Sequence, residues 1–142
     1  MPDVVFDASA FYAFLTGEPG ADAVETVLMD CRQGEHRGFV HALNLYEIER
    51  KIRVVDPGRA EAILKLLRGV LRDHCIMVGR SVTLKMQKHM VSIKMAAGAN
   101  FSALDAACVA YATTKQCLVL TTDHGEMDKI ESAGLAQFLW AR

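Results

Sequence analysis

The chain has 142 residues, of which 51% are hydrophobic and 23% charged, and its formal net charge is −1. That length suffices for one domain with a buried core, and the composition excludes disorder, collagen-like repeats and mucin-like stalks. A charge this near zero does not mark a nucleic-acid binder, so any basic surface has to be local.

The first apolar stretch, VVFDASAFYAFL, is broken by Asp7 and falls short of the roughly 18 residues a membrane span needs. It also lacks the basic start and small-residue cleavage site of a secretory signal, so no membrane association is expected. DVVF (3–6) is predicted as a buried strand and the residues after it as a helix. EPGADAVETVLMDCR reads as a second helix with Pro19 near its first turn and Val24, Val27 and Leu28 on one face. RGFVHA (37–42) is a second strand, and LNLYEIERKIRV continues as a helix. DPGRAEAILKLLRGVLRD is predicted to open with Asp56 as N-cap and Pro57 at its first position. Its apolar stripe is Ile63, Leu66, Leu67, Val70 and Leu71. CIMV (75–78) is a third strand, followed by a helix over 81–97. An alanine-rich helix over 102–115, a fourth strand over 117–122, a short helix near 125–132 and a small edge strand over 136–140 complete the chain. This alternation predicts an α/β domain over 1–142, a doubly wound sheet of about five strands with helices on both faces. The four cysteines (31, 75, 108 and 117) form no C-x-x-C pair and are expected as buried thiols of a reducing cytoplasm.

Ligands of doubly wound sheets bind beyond the carboxyl ends of the strands. Asp7 follows the first strand directly and Asp123 the fourth. Asp105 stands in the first turn of the alanine-rich helix, and Glu47 about one turn into the helix after the second strand. Each has a structural alternative. Asp7 can cap the following helix, Ser102 and Asp105 match the S-x-x-[DE] capping box, Asp123 can sit in a turn, and Glu47 can face solvent. A parallel sheet would nevertheless bring all four to one rim, where their repulsion calls for neutralisation. A set of oxygen ligands without His or Cys partners suits hard divalent cations rather than zinc, since the five histidines show no ligand spacing. The residues themselves therefore point to a divalent-metal site.

Around these acids the chain resembles the PIN-domain family, and within it the small VapC-type toxins of toxin–antitoxin pairs. The segments that carry the resemblance are VVFDASAFYAFL, VHALNLYEIERKI, FSALDAACVAYA and LVLTTDHGEMDKI, in that order from Asp7 to Glu126. The resemblance implies a three-layer α/β/α fold on a mostly parallel sheet and a Mg2+- or Mn2+-dependent endoribonuclease. It assigns Asp7, Glu47, Asp105 and Asp123 as metal ligands and catalytic residues. Ser9 and Thr121 match positions that orient the carboxylates, and Glu126 matches an accessory acid. It also implies an RNA substrate, a cognate antitoxin protein that covers the cleft, and a homodimer. Met127 departs from a frequent aromatic position without touching the acids. The middle of the chain, 54–99, carries no motif.

Lys85 with Lys88, and Arg50 with Lys51 and Arg53, are cations that can either guide RNA phosphates or lie on solvated helix faces. Met86, Met90 and Met95 are expected as core or interface filler, Phe11, Tyr12 and Phe14 as core, and His124 as a surface turn residue. Two other functions compete with a metal-dependent ribonuclease toxin: a non-catalytic PIN-fold binding module, and a PIN ribonuclease of RNA maturation. A phosphoacceptor domain is excluded because CIMVGR offers no acidic residue after the third strand. Nucleotide-binding domains are excluded for want of G-x-G-x-x-G or G-x-x-x-x-G-K-[ST].

Overall fold

A computed structural model describes residues 2–142. The strands β1 (Val4–Phe6), β2 (Gly38–His41), β3 (Met77–Gly79), β4 (Leu118–Thr121) and β5 (Phe138–Trp140) form one sheet in the order β3-β2-β1-β4-β5. Every pairing is parallel. The helices are α1 (Ala8–Thr16), α2 (Ala21–Arg32), α3 (Ala42–Val55), α4 (Ala60–Asp73), α5 (Leu84–Ala97), α6 (Ala103–Lys115) and α7 (His124–Ser132). None of them is long and apolar enough to cross a membrane.

The strands are apolar on both faces because each face is covered. Val4, Phe6, Val40 and Leu120 point into a core shared with α1, α2, α4 and the Ile48–Ile52 face of α3. Val5, Phe39 and Val119 point the other way, onto α5, α6 and α7. Five alanines in α6 keep its backbone close to the sheet, with the run Ala106–Ala112 buried. Phe11 is wholly buried and stacks on Phe6, and Tyr12 is 7% exposed, as expected for core residues. Phe14 is half-buried against the same core.

Several local expectations change. The helix expected to open at Pro57 begins at Ala60, because Asp56 ends α3: its N–H still donates to the Ile52 carbonyl. Its carboxylate instead accepts from Arg59 Nε at 2.7 Å. Of the expected stripe of α4, Leu67 and Val70 are buried and Ile63 and Leu71 half-buried, but Leu66 is 53% exposed, and Leu64, outside the stripe, is buried. Pro19 lies in the turn just before α2, near its first turn as expected. Gly20 (φ +98°) takes the N-cap, where a side chain would strike Thr122 Cγ2. The helix expected from Ser81 begins at Leu84, capped by Thr83, because His41 Nε2 holds the Ser81 carbonyl at 2.9 Å. Cys75 is exposed, at a φ of +57° in the turn before β3, unlike the three buried cysteines. Met86 is core and Met90 half-buried, whereas Met95 is 81% exposed.

Two glycines are needed for lack of room. A Cβ on Gly38 would lie 2.6 Å from Ile76 Cδ1, and one on Gly79 would run into the Tyr111 phenol. Gly79→Ala is expected to destabilise the protein by about 1–3 kcal/mol in urea unfolding, the range of an overpacked core site. Gly58→Ala, in an open turn with nothing near it, is expected to change stability by less than about 0.5 kcal/mol.

Candidate metal centre

Three helices begin at the carboxyl edge of the sheet, and each brings an acid there. Asp7 is the N-cap of α1, Asp105 lies in the first turn of α6, and Asp123 is the N-cap of α7. The positive ends of the three helix dipoles offset part of the carboxylate repulsion. Glu47 reaches the same place from α3. One oxygen each of Asp7, Glu47 and Asp105 lies within 4.8 Å of the others. The cleft around them has a volume of about 140 Å3 and is also lined by Ser9, Tyr12, Lys51 and Asp123.

Asp7 is 1% exposed. Its Oδ2 accepts hydrogen bonds from Ser9 Oγ at 2.8 Å and from Thr121 Oγ1 at 2.9 Å. Each hydroxyl has one proton to donate, so the 3.1 Å approach of the two hydroxyl oxygens is a contact rather than a third hydrogen bond. Both hydroxyls are themselves fixed by the backbone: Thr122 N donates to Ser9 Oγ and Asp123 N to Thr121 Oγ1. Asp7 makes no side-chain cap of α1, so the capping alternative fails for it. Its other oxygen, Oδ1, is buried without a partner, and so is Glu47 Oε2.

The remaining acids divide their roles. Ser102 caps α6 by accepting from Leu104 N and Asp105 N, leaving the Asp105 carboxylate outside the capping contact and free to face Asp7 and Glu47. Asp123 does cap its helix, accepting from Gly125 N through Oδ1 at 3.1 Å, and lines the cleft beside the group of three. Glu126 stands further out, paired with Lys129 Nζ at 3.2 Å. His124 is exposed, as expected, but it is the first residue of α7 rather than part of a turn, bonded to Asp128 and stacked on Trp140.

Two residues beneath the site escaped sequence analysis. Asn44 is fully buried one turn before Glu47, and its Nδ2 donates to the Leu104 carbonyl, tying α3 to the first turn of α6. A polar residue three positions before Glu47 on an otherwise apolar helix face was the available signal. Cys108, wholly buried one turn after Asp105, packs behind Asp7, and burial pushes its thiol well above the usual range.

Burial, and then the charges of Asp7, Glu47, Asp123 and Glu126, push the Asp105 carboxyl up to about 8. Burial also raises Glu47, abetted by the charge of Asp7 and opposed by Asn44, Arg50 and Lys51. It raises Asp7 against the pull of its two hydroxyl partners. A hard cation fits this set on two grounds: the ligands are all oxygens, and two buried carboxylate oxygens have no other partner.

Without a cation, folded Asp105 holds a proton that the unfolded chain releases above about pH 4. Its stabilising contribution is therefore complete below that pH and is lost as pH rises through about 8. Urea titrations in EDTA are expected to show wild type losing on the order of a few kcal/mol relative to Asp105→Asn between pH 4 and 8. Millimolar Mg2+ should close the gap. A pH-independent difference between the two proteins would refute the protonated state.

The model of the PIN domain family matches residues 4–132. No curated protein matches the chain by sequence. Among solved structures, the chain is similar to VapBC2 from Rickettsia felis bound to a DNA fragment from their promoter, with 11% identity and a TM-score of 0.74. That match covers 96% of this chain and 97% of the other. It is similar to DNA-bound VapBC from Salmonella typhimurium, with 12% identity, a TM-score of 0.72 and full coverage of both chains. FitAcB from Neisseria gonorrhoeae matches at 18% identity and a TM-score of 0.66 over 96% of each chain. At such identities the likeness is one of fold, whereas the family match spans all four acidic positions and nearly the whole sheet. The chain belongs to the PIN domain family.

Proposed function

We propose that the protein is a Mg2+- or Mn2+-dependent endoribonuclease, the toxin of a toxin–antitoxin pair, acting as one domain over 1–142. The observation that carries this reading is the group Asp7, Glu47 and Asp105 within 4.8 Å, with two of its buried oxygens unpartnered at the carboxyl edge of the sheet. Asp7, Glu47 and Asp105 would hold the metal, and Asp123 would serve it from the adjoining wall. Bound there, the metal supplies Lewis acidity toward a phosphodiester and lowers the pKa of water.

The chain's own residues do the rest. Ser9 and Thr121 hold Asp7 by Oδ2, so that Oδ1 is the oxygen left for the metal. Asn44 fixes the spacing between α3, which carries Glu47, and α6, which carries Asp105. Tyr12 and Cys108 exclude water from the flank and the back of Asp7. Asp105 gives up its proton when the metal is loaded, so metal affinity rises with pH through the neutral range.

Toxin function and a cognate antitoxin rest on the resemblance to VapC-type toxins, with support from the VapBC and FitAcB folds. A homodimer and a cytoplasmic location rest on the resemblance and on the cysteine pattern. The purified chain is expected to cut a structured RNA pool with Mg2+ or Mn2+ and not with EDTA. Asp7→Asn keeps a hydrogen-bond acceptor for Ser9 and Thr121. It is therefore expected to retain the fold, by thermal unfolding, while losing cleavage by at least about a hundredfold. Folded wild-type protein that cuts no RNA with either metal would favour a non-catalytic binding module.

A further inference from the structure

The Arg50, Lys51 and Arg53 cluster that follows Glu47 is split by the structure into side chains of different kinds. Arg53 is committed to carboxylates, with Nε 2.9 Å from Glu49 and Nη1 2.9 Å from Glu61. Lys51 has no carboxylate within ion-pair distance among the described residues. Its Nζ lies 3.9 Å above the centre of the Tyr12 ring. It stands one helical turn beyond Glu47 and lines the acidic cleft with Asp7, Glu47 and Asp105.

Beside the acidic cleft lies a second hollow of about 330 Å3, open to solvent between α1, α3 and the β4–α7 junction. Ser9, Tyr12, Lys51 and Asp123 line both spaces, so the two adjoin along these residues. The far wall of the hollow is Thr122 and Gly125. Glu18 is the other acid in the hollow, and the His124 ring at its edge is occupied by Asp128 and Trp140. A polyanion bound in the acidic cleft has to continue past the cleft. Lys51 and Arg142 are the cations that line that continuation, and Lys51 is the one that also lines the acidic cleft.

Building on the nuclease reading, we infer that Lys51 binds the phosphodiester next to the one in the acidic cleft. The Tyr12 ring holds the ammonium in place, so the nucleic-acid strand leaves the site through the hollow between α3 and the β4–α7 junction. The contact is to the backbone and independent of base identity.

The test uses Asp105→Asn as an uncleaving parent in Mg2+, with binding of short labelled single-stranded RNAs of two sequences followed by anisotropy across a salt series. Adding Lys51→Ala is expected to weaken both RNAs alike, by about fivefold, and to lower the slope of log affinity against log salt by about 1. Lys51→Arg is expected to keep the slope, and Arg53→Ala to change neither quantity. If the parent binds RNA and Lys51→Ala leaves the slope unchanged, the inference falls while the nuclease reading stands; a loss of affinity with an unchanged slope has the same meaning. If the parent binds no RNA at any salt concentration, both fall.

Discussion

Three carboxylates crowd the rim of this sheet, and their repulsion is the constraint around which the neighbouring structure is arranged. Burial makes it worse, since a low-dielectric surrounding strengthens like-charge interaction and penalises each charge separately. The fold offsets it in three ways. Helix N-termini aim their positive ends at Asp7, Asp105 and Asp123. Two hydroxyls from opposite ends of the chain fix one oxygen of Asp7. Asp105 keeps a proton. What these leave uncompensated, the bare oxygens of Asp7 and Glu47, defines the kind of ligand that completes the site.

The two-faced burial of the sheet explains why the acids meet where they do. Strands apolar on both sides have no polar face to offer, so chemistry is confined to their ends. Because all four pairings are parallel, those ends lie on one edge, and the helices that directly follow β1, β2 and β4 start there. The Ala-rich α6 adds to this by lying close against β1 and β4, which brings Asp105 down beside Asp7.

All five strands and the gathering of Asp7, Glu47, Asp105 and Asp123 at one cleft were legible in the sequence, because alternating elements and the position of an acid after a strand are local features. Features decided by distant contacts were not. Asn44 acquires its role from a carbonyl sixty residues away, and the start of α5 depends on His41 holding Ser81. The D-P pair at 56–57 has the form of a helix start, but α3 runs on until Asp56 and takes the cap residue for its own end. Lys51 and Arg53 are equivalent as letters in a basic run. Only the third dimension pairs one with Glu49 and Glu61 and leaves the other over an aromatic ring. Asp123 shows that the two readings of an acid need not compete, since it caps a helix and lines the cleft together.

The hydroxyl pair on Asp7 also has a meaning in time. Ser9 leaves the ribosome well before Thr121, which follows it by 112 positions. Until β4 slides in beside β1, the nascent chain has no second hydroxyl for Asp7 and no Asp123 at the rim. Before that point a growing polypeptide carries the residues of the first three motifs without the complete acidic group and without the Thr121 clamp on Asp7. Long-range closure of this kind is a slow step in folding. The acidic group is therefore complete only after β4 has been made and has docked beside β1.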